Sequence, residues 1–71
     1  MLVSDIQLGL KVRVLINDLE AMVVGRPEYY SPKAKLVRIK YENSTRFEHV
    51  TNHMIEPLPA DQQAKHFQND V

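Results

Sequence analysis

The sequence predicts an all-β fold: a small five-stranded barrel with a 3₁₀ turn before its last strand and a polar C-terminal tail. Three observations predict it. Short apolar/polar alternations recur in KVRVLI and KLVRIKY, the period of half-buried strands. Turn-forming residues separate them at Asn17-Asp18, Pro27 to Pro32 and Glu42 to Thr45. A set of short strands this small hides its edges best by closing on itself.

Strand one is expected over residues 11–16, with Val12, Val14 and Ile16 on one face and Lys11, Arg13 and Leu15 on the other. Asn17-Asp18 then reverses or bulges the chain, and residues 20–26, EAMVVGR, read as strand two. Pro27 and Pro32 bracket PEYYSP; each ring lacks a backbone donor and restricts the residue before it, which predicts a loop. Residues 35–41 resume strict alternation, with Val37, Ile39 and Tyr41 opposed to Leu36, Arg38 and Lys40. The polar run 42–45 turns the chain into residues 46–50, completing a hairpin with Val37, Ile39 and one of Phe47 or Val50 in the core. Residues 51–54 suit a single 3₁₀ turn, and Ile55-Glu56 before Pro57 suits a brief edge strand. Gly9 and Gly25 fall where small barrels bend sharply. The barrel is expected to span residues 1–59. Residues 60–71 are expected to form a short helix capped by Asp61, or a disordered tail with Phe67 as its one large apolar anchor.

The chain has 71 residues, enough for one domain whose stability margin is thin because so small a fold buries only about 60% of its unfolded surface. Hydrophobic residues make up 44% and charged residues 25%, which places it among folding rather than disordered sequences. Without cysteine, neither a disulfide framework nor a thiolate metal site is available. No apolar run approaches membrane-spanning length, and no basic region with an apolar core opens the sequence, so the expected location is cytoplasmic.

Net charge is zero, which argues against non-specific binding to nucleic acid through a bulk excess of cations. The distribution is uneven. Residues 26–46 carry Arg26, Lys33, Lys35, Arg38, Lys40 and Arg46 against Glu28 and Glu42, a local +4, while the flanks are acidic.

The order DIQLGLKVRVLI, EAMVVGR, AKLVRIKYEN, FEHVTNHMIEPL resembles the SH3-like barrels of the Tudor and KOW group over about residues 5–58. In that group a Gly precedes strand one, an Ala-x-Val pattern marks strand two, and a Val-x-x-Tyr strand leads through a polar turn to a final Ile-x-Pro or Leu-x-Pro strand. The Tudor resemblance implies a cage position for Tyr41 with Asn43 as its polar partner, but no aromatic stands at Asn17-Asp18 to form a second wall. The KOW resemblance implies RNA or protein partners.

Among the residues themselves, Tyr29-Tyr30 between two prolines, flanked by Arg26 and Lys33, forms the leading contact candidate, since loop aromatics beside cations fill protein pockets or stack on bases. Arg38, Lys40 and Arg46 beside Tyr41 form a basic stripe; a solvated strand face is the plainer account of it. His49, His53, Glu56 and His66 lack metal-ligand spacing, so no metal is expected. No Cys nucleophile, phosphate-binding glycine loop or Ser/His/acid set is present, so neither catalysis nor a cofactor is expected. The expected function is a non-enzymatic adaptor docking a protein partner through Tyr29, Tyr30, Arg26, Lys33, Arg38, Lys40, Tyr41 and Arg46. RNA or DNA on that face is the alternative, and homo-oligomeric assembly through an outward apolar face with Leu15 or Leu36 a further one.

Overall fold

A computed structural model describes residues 1–64. After a 3₁₀ turn at Val3–Asp5 come strands β1 (Lys11–Val14), β2 (Leu19–Val23), β3 (Glu28–Ser31), β4 (Ala34–Tyr41) and β5 (Phe47–Thr51). A second 3₁₀ turn (Asn52–Met54), strand β6 (Ile55–Pro57) and the one-turn helix α1 (Ala60–Gln63) follow. The chain is all-β as expected, but among the described residues its single antiparallel sheet has six strands rather than five and is open: β5 pairs only with β4, and β6 only with β1.

The extra strand comes from PEYYSP. Its prolines flank the segment instead of interrupting it, so Glu28 to Ser31 keep their backbone donors; Pro32-Lys33 supplies the turn into β4. β2 and β5 both pair with Ile39 and Lys40, and β3 and β5 both pair with Leu36. Because a strand has only two sides, β2 and β3 must share one edge of β4, forming a single long partner kinked at Gly25 to Pro27. Register makes the kink explicit: Val23 opposes Ile39, whereas Glu28 opposes Leu36, so β2 and β3 carry two more residues than β4 across this step.

The core lies on one face of this sheet. Val12, Val14, Ala21, Val23, Val37, Ile39, Val50 and Ile55 are buried, joined by Ile6 from the N-terminal turn. Val50, not Phe47, is the β5 residue that enters the core; Phe47 is 50% exposed. Ile16, which the alternation places inside, is 78% exposed. β1 ends at Val14 because a tight turn intervenes, with Asp18 N–H donating to the Val14 carbonyl (2.7 Å) and Asp18 itself at φ 62°. The alternation that predicts a longer strand is cut off there, and Ile16 rides on the turn.

The C-terminal side of the expected boundary is not a loose tail in its described part. Gln63 is wedged against the start of β1. Lys11 N–H donates to its Oε1 (2.9 Å), its Nε2 donates to the carbonyls of Lys11 (2.7 Å) and Leu58 (2.9 Å), and Lys11 Nζ donates to its carbonyl (2.7 Å). Lys11 is buried as a result. The helix starts from Pro59 with no side-chain cap, so Asp61 does not cap it. Residues 65–71, including His66 and Phe67, lie outside the described residues. Among the described residues no helix is long and apolar enough to cross a membrane.

Candidate binding surface

Strand alternation decides which of the predicted contact residues can act together. Val37 and Ile39 face the core, so Leu36, Arg38 and Lys40 project from the opposite, outer face of β4. On β5, Lys40 stands opposite Phe47 and Arg38 opposite His49. On β2, Met22 stands opposite Lys40. These cross-strand neighbours share the outer face, and the Arg38 guanidinium lies over the Phe47 ring, 4.3 Å from its centroid. Gly25 flanks the same arginine from the other side: a Cβ on Gly25 would sit 3.0 Å from the Arg38 Cβ. Arg38 is thus an exposed residue whose guanidinium rests on a ring while its stem runs beside the bare backbone of Gly25.

The remaining predicted residues divide among other places. Tyr29 and Lys35 are paired across β3 and β4, with Lys35 Nζ 5.0 Å from the Tyr29 ring centroid. Lys35 has the parity of Val37, so this pair belongs to the side of the sheet opposite Arg38, beyond the end of the core. Tyr29 is 69% and Tyr30 58% exposed, and Tyr30 sits in the register shift of β3. Lys33 lies in the following turn, where its carbonyl accepts a hydrogen bond from His53 Nε2 (2.6 Å); a carbonyl cannot donate, so that nitrogen carries the proton. Arg26 lines an open groove of about 630 Å³ with Val3, Ile6, Gln7, Leu8 and Pro27. Arg46 is exposed just before the start of β5, its N–H donating to Ser44 Oγ (3.1 Å).

Tyr41 is separated from the basic stripe. Its hydroxyl accepts a hydrogen bond from Asn17 Nδ2 (3.0 Å), and it lines a second groove of about 290 Å³ with Asp18, Leu19, Glu20, Glu42 and Asn43. Tyr41 and Asn43 both line this groove, and Leu19 is the apolar side chain beside them.

The eight predicted residues do not converge on one site. The outer face of β4 and β5 gathers Arg38 and Lys40 and adds Phe47 and His49, which hairpin periodicity alone does not assign to this face. The signal for Phe47 is its cross-strand position relative to Lys40, legible only once the β4–β5 register is known. Among the described residues no group of three or more His, Cys, Asp or Glu is placed to hold a metal ion. No protein-family model, curated protein or solved structure matches this chain.

Proposed function

We propose that this chain is a non-enzymatic, SH3-like binding module whose outer β4–β5 face docks an acidic segment of a protein partner, with Arg38 as the central contact. The stacking of Arg38 on Phe47 carries this reading. It holds a guanidinium in one orientation at an exposed surface, which reduces the side-chain entropy lost when a carboxylate is bound in bidentate fashion. Lys40, cross-strand from Phe47, extends the positive potential, and Phe47 contributes apolar area of the kind that anchors interfaces. Support for the SH3-like reading comes from the order of elements: a meander whose second strand is kinked, a 3₁₀ turn after β5, and a last strand that returns to pair with β1. Tyr29, paired with Lys35 on the far side of the sheet, forms a second contact area beside the exposed Tyr30, reachable by a longer partner.

Nucleic acid is the second reading, favoured by two cations over exposed rings, Arg38 on Phe47 and Lys35 on Tyr29. Zero net charge places it behind the protein reading, since phosphate binding draws on a surplus of cations. Titration of labelled Glu/Asp-rich peptides and of a single-stranded RNA, at low and moderate salt, separates the two. The acidic peptide is expected to bind, and R38A/F47A to weaken it by about tenfold or more. Tighter binding of RNA, with a steep salt dependence, would favour the second reading. Binding indifferent to R38A/F47A would remove the face from either role.

A further inference from the structure

The open edge of β5 has a defined chemistry. Val24 N–H donates to the Arg38 carbonyl (2.9 Å), and Glu42 N–H to the Glu20 carbonyl (3.1 Å). Even-numbered residues of β4 therefore direct their backbone groups toward β2, and odd-numbered ones toward β5. It follows that Val37 and Ile39 bond to Val50 and Glu48, whereas Phe47, His49 and Thr51 aim N–H and C=O at the side of β5 that no described strand pairs. The Thr51 end of that edge is crowded, because the Met1 amino group donates to the Asn52 carbonyl (2.9 Å) beside it. The accessible part of β5 runs over residues 47–49, and the exposed residues 45 and 46 lead into it.

We infer that this stretch pairs antiparallel with the same stretch of a second copy, about a two-fold axis at Phe47. Two side chains point to that occupant and register. Arg46, just before β5, and Glu48 within it are two residues apart, the spacing that sets side chains on one side of an extended run; both are exposed, and among the described residues neither has an ion-pair partner. Pairing centred on Phe47 places Arg46 of each copy opposite Glu48 of the other, twice per dimer. Phe47 meets Phe47 on the outer face, exchanging both backbone hydrogen bonds and carrying an Arg38 on either flank. Centring the axis one residue later sets Glu48 against Glu48, and centring it on His49 draws the crowded Thr51 end into the ladder. Glu48 stands opposite the buried Ile39, and a charge on the core side of an edge strand deters indiscriminate strand addition. One register alone offers it a cation, so the same residue selects a self-complementary partner.

Sedimentation equilibrium on the whole chain tests this, loaded from about 20 μM to 1 mM because an interface of two short strands is weak. The expected result is a mass rising from monomer toward dimer. R46E and E48R each set like charges opposite one another and are expected to raise the dissociation constant about tenfold or more, with circular dichroism unchanged. An equimolar mixture of the two variants restores both pairs and is expected to return association to within about threefold of the original, as a heterodimer. A chain that stays monomeric throughout overturns the inference, as does association indifferent to either reversal or a mixture that fails to rescue. An unrelated extended peptide adding to β5 of a monomeric chain would likewise overturn it, assigning the edge to a different partner. The mass readout involves no acidic ligand, so its failure leaves the proposed docking face untouched.

Discussion

Gly25 ties the kink between β2 and β3 to the candidate surface. Nothing but a hydrogen fits there comfortably, because the Arg38 Cβ that would face a new methyl is fixed by the β4 backbone and cannot swing aside. Replacing Gly by Ala removes unfolded-state entropy worth about 0.4–1 kcal/mol, but overpacking against a rigid neighbour costs about 1–3 kcal/mol. The steric effect is larger, so G25A is expected to lower stability by about 1 kcal/mol in urea unfolding and to displace Arg38 from the Phe47 ring. The sequence identifies Gly25 as a bend position. It holds no sign that the residue across from the bend is Arg38, since that depends on the register of β4 against β2. Asn52 is equally opaque. It is buried, accepts from Lys35 N–H (2.9 Å) and donates to the Met1 carbonyl (2.9 Å), joining segments far apart in the chain. Between Thr51 and His53 such a residue reads only as a turn former, because its partners are distant in sequence.

At the scale of elements, α1 is too short to be stable alone; one turn cannot repay helix nucleation. Its last residue anchors it instead. The Gln63 amide inserts between the Lys11 N–H and the Leu58 carbonyl, accepting from one and donating to the other, and so stands in for one ladder bond of this pair while Leu58 N–H donates directly to the Lys11 carbonyl (3.0 Å). Q63A is expected to leave the partly buried Lys11 N–H without that partner, while the Lys11 carbonyl keeps its bond from Leu58 N–H (3.0 Å), at a cost of about 1–3 kcal/mol. Amide exchange at Lys11 should accelerate markedly while exchange at Val37 and Ile39 follows the global loss alone. The sequence locates the helix start near residue 60 and most strands to within a few residues, because alternation and turn chemistry are local signals. It conceals β3, where proline reads as a breaker although its rings stand outside the paired residues. It also conceals the dispersal of the contact residues, because which face a side chain takes follows from pairing rather than from position in the chain.

For the whole molecule the margin is narrow. At about 0.05–0.15 kcal/mol per residue, a chain of 71 residues is stabilised by roughly 4–10 kcal/mol. Ile39 is fully buried at the centre of the sheet, and I39A is expected to remove about 2–5 kcal/mol, a large share of that total. I16A provides the contrast: an exposed turn residue should change stability by less than about 0.5 kcal/mol. Thermal melts of the two variants check this directly, with I39A expected to lower the midpoint by about 10 °C or more. The alternation of KVRVLI assigns position 16 the same burial as Val12 and Val14, and only the turn that ends β1 separates the two outcomes.

The pairing of β1 with β6 bears on how the protein comes into being. Val12 must find Pro57, and Val14 must find Ile55, so the second side of β1 is completed by the last of the described strands to be made. In order of synthesis, β2 can pair with β1 as it appears, β3 waits for β4, which takes β2 and β3 along one edge, and β5 then adds to the other. β1 meanwhile exposes an unpaired ladder until β6 and then Gln63 arrive. A nascent or truncated chain ending before residue 55 is therefore the most adhesive form of this protein, open along β1 as well as β5.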